Sequence, residues 1–178
     1  MHAISRLLRA ATIAAAASLV PALYATPVAS PTPAPVIRES WTSIPIEGEE
    51  IDSLALWPSG DNHAWLVVSA KQGERLLVFD ADSGVRIGAS GGPGEGPGQF
   101  RRPNGVSVAG DLLFVVERDG HRVQVLHLPD FTALGDFGGD ELQMPYGIWV
   151  DDSTPGVLTA DVTDSFMADF ATRTLPPR

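Results

Sequence analysis

The sequence has 178 residues, enough for one domain with a short extension, and 44% of them are hydrophobic, which excludes a chain too polar to form a core. Twelve basic residues against 22 acidic ones give a formal net charge of −10. This balance argues against a nucleic-acid partner, which needs a basic surface, and the lack of cysteine excludes disulfide scaffolds, thiol catalysis and cysteine-ligated zinc.

The N-terminal region has the pattern of a secretory signal peptide. Arg6 and Arg9 precede an uncharged apolar run over residues 10–20, which is shorter than the roughly 20 residues that span a bilayer. We therefore predict a signal peptide over residues 1–30, with an uncleaved membrane anchor as the alternative. Residues 31–38 form a proline-rich spacer. The mature chain is expected to be secreted or periplasmic and free of the membrane once the signal is removed.

Residues 39–178 are predicted to be all-β. Apolar runs at 65–68 and 76–79 are separated by polar residues, and two further runs at 112–116 and 123–126 flank Asp119-Gly120, a strong hairpin signal. Few windows of this region keep a helical period over eleven residues. Short strands joined by turns are therefore expected throughout.

A strand-and-turn unit also repeats along the chain. PNGVSV at 103–108 resembles PYGIWV at 145–150, a shift of 42 residues, and residues 52–56 fit the slot of 104–108 after a shift of 52. A β-repeat of about 40–50 residues with four short strands indicates a β-propeller, whereas a β-sandwich is the alternative. Residues 36–178 would supply about three blades, fewer than the roughly four to eight that close a ring. We predict an incomplete propeller whose remaining blades are missing from this chain.

The region of about residues 91–128 resembles an NHL repeat. The residues that carry this resemblance are GEGPGQF at 94–100, PNGV at 103–106, VERD at 116–119 and RVQVL at 122–126. The NHL family is built of six-bladed propellers, so the resemblance implies a propeller of the six-bladed type.

A wider span, from residue 47 to about 167, resembles the β-propeller phytases. The matching segments, in chain order, are IDSLALWP at 51–58, SAK at 69–71, GERLLVFD at 73–80, RPNGV at 102–106, VERD at 116–119, PYG at 145–147 and VTDSF at 162–166. The resemblance implies a secreted phosphatase of the 3-phytase type. Such an enzyme hydrolyses phosphomonoesters of myo-inositol hexakisphosphate (phytate), a small anionic substrate, and uses Ca²⁺ as its cofactor.

The same resemblance assigns the residues that handle phosphate. Lys71, the only lysine of the chain, matches the family's phosphate-binding lysine, and Arg118 and Tyr146 match its arginine and tyrosine as catalytic residues. Arg102 and Asn104, in the RPNGV segment, are assigned to substrate binding. The alternative for the charged residues is a solvated side chain on a turn, and for Tyr146 it is packing within a blade.

Four acidic residues are candidate calcium ligands, because each follows or ends a strand at an equivalent place in the repeat: Asp52, Glu117, Asp119 and Asp164. Calcium takes six to eight oxygen ligands, whereas ordinary turn capping by the acid is the alternative. The family often has two aspartates where this chain has Ile51-Asp52, and it has a second lysine near Ser165. These departures, with the missing blades, predict weak activity for this chain alone.

Two other functional classes remain open from the sequence. One is a non-catalytic NHL-type propeller that binds a protein, peptide or glycan, and the other is a calcium-dependent enzyme of the lactonase type. The phosphate cluster discriminates between these classes, because a pure binding module has no need for Lys71 and Arg118 on the same rim.

Overall fold

The computed structural model describes residue 34 and residues 36–60 and 62–164. The predicted signal peptide, half of the predicted spacer and the Ser165 position lie outside the described residues. The strands all belong to the compact unit that begins at Glu39. Its described residues form strands and turns without a helix, which confirms the all-β prediction. Accordingly, none of the described residues belongs to a helix long and apolar enough to cross a membrane.

The described residues form ten strands in three antiparallel sheets, none of which is closed. Sheet 1 has the order β1-β2-β3-β4, sheet 2 the order β5-β6-β7-β8, and sheet 3 pairs β9 with β10. The strand bounds are β1 Ile51–Gly60, β2 His63–Ala70, β3 Arg75–Asp80, β4 Arg86–Gly91, β5 Pro103–Ala109, β6 Leu112–Glu117, β7 Arg122–His127, β8 Thr132–Phe137, β9 Pro145–Asp151 and β10 Thr159–Asp164. This arrangement is compatible with a partial β-propeller.

The first strand of every sheet carries the same irregularity. In sheet 1 the register shifts by one residue between Ile51 and Leu54, and in sheet 2 it shifts between Pro103 and Val106. In sheet 3 the same shift lies in β9, opposite Val162 and Asp164 of β10. Each is a β-bulge close to the start of the strand, and bulges redirect side chains next to functional sites.

Two hydrophobic layers hold the sheets together. Between sheets 1 and 2 the buried side chains include Trp57, Val67, Val115 and the fully buried Phe100, which precedes β5. Gly91 has a φ of +82°, and a Cβ there would collide with the Phe100 ring, so glycine is required at that close approach. A second layer, between sheets 2 and 3, is formed by Phe114, Val116, Val123, Ile148, Val150 and Val162.

The other face of sheet 1 is less well covered. Val106 of β5 is 6% exposed, whereas Leu54, at the same register position of β1, is 62% exposed. Ile46 covers part of this face, against Val68 and Phe79. This face of sheet 1 is therefore partly exposed, whereas the equivalent face of sheet 2 is buried.

Candidate functional site

The bulges place three side chains at the same register position of three neighbouring first strands. Asp52, Asn104 and Tyr146 are each the second residue of their strand, and β5 lies against both β1 and β9. The approach of β5 to β9 is close, because a Cβ on Gly105 would lie 2.8 Å from the Tyr146 carbonyl oxygen. One residue from each sheet is thus available at the same end of the assembly.

The Lys71 side chain contacts both Asp52 and Tyr146, the first and third of these residues. Its backbone amide donates to the Glu50 carbonyl at 3.0 Å, which fixes the turn that follows β2. Its Nζ lies 3.0 Å from Asp52 Oδ1 and 3.5 Å from the Tyr146 hydroxyl oxygen. The Tyr146 hydroxyl lies 3.4 Å from the same Asp52 oxygen. Only 12% of the Lys71 side chain is exposed, whereas Tyr146 is 42% exposed, so the lysine side chain is mostly covered while its contact with Tyr146 stays open to solvent.

Glu50 extends this group toward sheet 2. Its Oε1 lies 3.7 Å from Lys71 Nζ and 3.1 Å from Arg102 Nη2. Glu50 and Arg102 each precede a first strand and have φ values of +50° and +52°, so they are equivalent residues of two sheets. We call the set of Glu50, Asp52, Lys71, Arg102, Asn104 and Tyr146 the Lys71 cluster.

Asn104 and Arg102 carry polar atoms that the described residues leave unpaired. Asn104 is fully buried, and neither its Oδ1 nor its Nδ2 has a hydrogen-bond partner among the described residues; the same is true of the buried Nε of Arg102. The Asn104 carbonyl, in contrast, accepts a hydrogen bond from the Ser69 hydroxyl. Buried amides are normally satisfied by protein, water or a ligand, so these atoms have unused hydrogen-bonding capacity that a bound water or a polar ligand would satisfy.

The surroundings of Lys71 keep it protonated. Burial lowers the pKa of Lys71, but the hydrogen bond and charge of Asp52, assisted by Tyr146, outweigh burial and raise the pKa above its ordinary value of 10.5. A raised pKa means that the pairing stabilises the folded state below the ordinary lysine pKa, and that this stabilisation is lost as pH rises through the raised value. A permanent cation at neutral pH suits a phosphate ligand.

Because Lys71 is the only lysine, its titration can be followed directly by NMR with isotope-labelled lysine. We expect a single side-chain signal whose midpoint lies above 10.5. Asp52→Asn should bring that midpoint down, because burial then acts without its main opposing partner. A wild-type midpoint at or below the ordinary value would contradict the described contacts of Lys71.

Arg118 and Asp119 form a separate pair. The Arg118 amide donates to the Arg102 carbonyl at 3.2 Å, just as the Lys71 amide donates to Glu50, so Arg118 is the counterpart of Lys71 in sheet 2. Its guanidinium, however, contacts Asp119 at 2.7 Å. Arg118 thus occupies the expected position in the repeat, while its side chain engages its neighbour outside the Lys71 cluster.

The two remaining predicted calcium ligands have their oxygens engaged by the protein. Glu117 is fully buried and accepts hydrogen bonds from the Arg101 amide, Arg122 Nε and Gln124 Nε2, at 2.8, 2.7 and 2.7 Å. Asp164 accepts from the amides of Gln143 and Met144 at 2.9 and 2.7 Å. Each carboxylate therefore ties the end of the second strand of its sheet to the segment that precedes the first strand of the same sheet.

Sequence reasoning did not identify Glu50 as part of the site. The shift of 52 residues that relates Asp52 to Asn104 also relates Glu50 to Arg102, and this correspondence was the available signal. Its participation depends on a positive φ at both residues, which a sequence pattern does not reveal for non-glycine residues.

Comparison with known proteins gives little further information. No family model matches the chain, and no curated protein matches it. A chain of hydrazine synthase from Kuenenia stuttgartiensis is similar in structure, with a TM-score of 0.46 and 17% sequence identity over 65% of the present chain. The present chain spans 30% of that chain's length. This similarity assigns neither a family nor a function.

Proposed function

We propose that the three sheets belong to an incomplete β-propeller of the six-bladed type, with about three blades present, and that the chain is a secreted or periplasmic calcium-dependent phosphatase of the phytase type. The observation that carries the proposal is the position of Lys71, which lies between Asp52 of sheet 1 and Tyr146 of sheet 3. The repeated bulges support the propeller, and the exposure of Leu54 is expected where a neighbouring blade is missing.

The Lys71 cluster has the groups that phosphate recognition requires. An ammonium has three donors, and Asp52 and Tyr146 engage two of those of Lys71, which leaves one for a phosphate oxygen. The Arg102 guanidinium offers further N–H donors, and arginine suits phosphate because its planar fork binds two oxygens at once. The unpaired Asn104 amide can donate to a third oxygen. These residues would bind and orient the phosphomonoester.

The oxygen donors of the cluster also fit a calcium ion. Glu50 and Asp52 supply carboxylates, Asn104 supplies a buried amide oxygen without a partner, and Tyr146 supplies a hydroxyl. Calcium prefers such hard oxygen ligands. When bound, the ion would neutralise phosphate charge and activate water. We leave Glu117 out of the proposed ligand set because it is fully buried with both oxygens hydrogen-bonded, and Asp164 because backbone amides hold both of its oxygens. Glu50, in contrast, is 44% exposed and contacts only side chains of the cluster, and Asp52 makes its contacts through Oδ1.

The proposal is tested by phosphate release from phytate by the purified chain, measured with calcium and with an excess of chelator. We expect release that requires calcium, at a low rate because the ring is incomplete. Release that persists in chelator would contradict the calcium requirement. Phytate binding without release would instead favour the non-catalytic propeller, and the absence of both would overturn the proposal.

A further inference from the structure

A second group of potential ligands lies at the opposite end of sheet 1. His63 is the first residue of β2 and Asp80 is the last residue of β3, and Asp82 follows in the next turn. Lys71 follows the other end of β2. Seven residue steps of about 3.3 Å separate the two ends of β2, so this corner is about 23 Å from the Lys71 cluster. It is therefore independent of the proposed phosphatase site.

We propose that His63, Asp80 and Asp82 bind one divalent transition-metal ion, with Zn²⁺ as the best match. One ligand atom from each of the three residues lies within 4.8 Å of the others, and His63 Nδ1 is 3.9 Å from Asp82 Oδ2. An imidazole nitrogen combined with two carboxylates is a donor set that zinc accepts and that calcium, which prefers oxygen alone, does not favour. Water would complete the coordination.

The backbone of this corner is fixed by hydrogen bonds that do not use the proposed ligand atoms. The Gly84 amide donates to the Asp80 carbonyl at 2.8 Å, and the Asp80 amide donates to the Val85 carbonyl at 2.9 Å. Trp41 Nε1 donates to the Ala81 carbonyl at 3.0 Å. Asp80 and Asp82 therefore project from a fixed turn, and His63 projects from the start of β2, which pairs with β3.

A second contact orients the Asp80 carboxylate. Its Oδ1 accepts hydrogen bonds from the Ser83 amide, at 2.8 Å, and from the Ser83 hydroxyl. Because Oδ1 is held in this way, the direction of Oδ2, the other oxygen of the carboxylate, is fixed as well. Metal ligands are commonly held in this way by hydrogen bonds to the atom that does not bind the ion.

Sheet 2 provides a matched comparison within the same molecule. His127 ends β7 as Asp80 ends β3, and its Nδ1 lies 3.1 Å from Asp130. Thr132 donates to both oxygens of this carboxylate, and among the described residues no second carboxylate joins the pair within 4.8 Å. The His127 corner thus has a similar exposed histidine–aspartate pair but lacks the second carboxylate that the proposed site needs.

The test is a calorimetric titration of the full chain with Zn²⁺, repeated for His63→Ala and for His127→Ala. We expect one ion per chain, with the affinity reduced at least about tenfold by His63→Ala, since even the loss of an outer partner costs about 10–100-fold. Zinc should also raise the melting temperature of the wild type, because an ion that binds only the folded state stabilises it. That increase should be absent in His63→Ala.

Two results would overturn the zinc site. One is the absence of stoichiometric Zn²⁺ binding, and the other is an equal loss of affinity in His63→Ala and His127→Ala. Both histidines are substantially exposed, so both variants should fold, and circular dichroism verifies this. A negative result here leaves calcium-dependent phosphate release unaffected, because the two groups lie at opposite ends of β2.

Discussion

Replacement of Lys71 by methionine is expected to lower kcat/KM for phosphate release from phytate by about 10–100-fold. Methionine nearly preserves the length of the side chain but removes the ammonium, and one hydrogen bond to a charged group is worth about 1.5–3 kcal/mol. The substitution removes the ammonium that contacts both Asp52 and Tyr146. Initial rates of phosphate release at limiting phytate, in the presence of calcium, measure the effect.

Arg86→Met is the matched control for this variant. Arg86 is an exposed cation at the start of β4, so its replacement removes the same charge from the protein without touching the Lys71 cluster. The control should retain the wild-type rate, and circular dichroism should show that both variants are folded. Equal rates for Lys71→Met and the wild type would exclude Lys71 from phosphate recognition.

Glu117→Gln is expected to lower the free energy of unfolding by about 3–5 kcal/mol. Removal of one partner of a buried ion pair usually costs about this much, and Asp136, which is 49% exposed and 3.5 Å from Arg122 Nη1, compensates only part of the lost charge. Glu117 is fully buried, and its pairing with Arg122 is supported by Gln124. Gly120 is part of this arrangement, because a Cβ there would lie 2.6 Å from Glu117 Oε2. Urea denaturation measures the change.

Asp119→Asn provides the comparison for Glu117→Gln. The Asp119 side chain is 42% exposed and pairs with Arg118 at the surface, so its loss should cost no more than about 1 kcal/mol. If Glu117→Gln left stability unchanged and lowered calcium affinity instead, Glu117 would be the calcium ligand that the sequence suggested, and the structural role would be wrong.

The main strands could be predicted from the sequence, because each contains a run of apolar residues and these runs are buried in the sheets. The correspondence of PNGVSV with PYGIWV is reproduced as the same register and the same bulge in β5 and β9. The outer strands β4 and β8 were harder to foresee, since most of their side chains are exposed. Without a buried face, a strand has no strict alternation of apolar and polar residues to reveal it.

The roles of the acidic residues could be predicted only in part. Asp52 lies beside Lys71, and this could be expected once the repeat was aligned. A carboxylate at the end of a strand, however, has the same sequence pattern whether it binds a metal or an arginine. Sheet 1 shows the difficulty, because its buried carboxylate comes from Glu49, before β1, and pairs with Arg75. Sheet 2 forms the corresponding pair from Glu117, at the end of β6, and Arg122.

Calorimetric titration of the purified chain with phytate in the presence of calcium tests the central claim most directly, namely that the Lys71 cluster recognises a phosphomonoester. We predict saturable binding at one site per chain, abolished by chelator and weakened by Lys71→Met, while Arg86→Met binds like the wild type. Undetectable binding of phytate, or binding of equal affinity in Lys71→Met and the wild type, would contradict the claim.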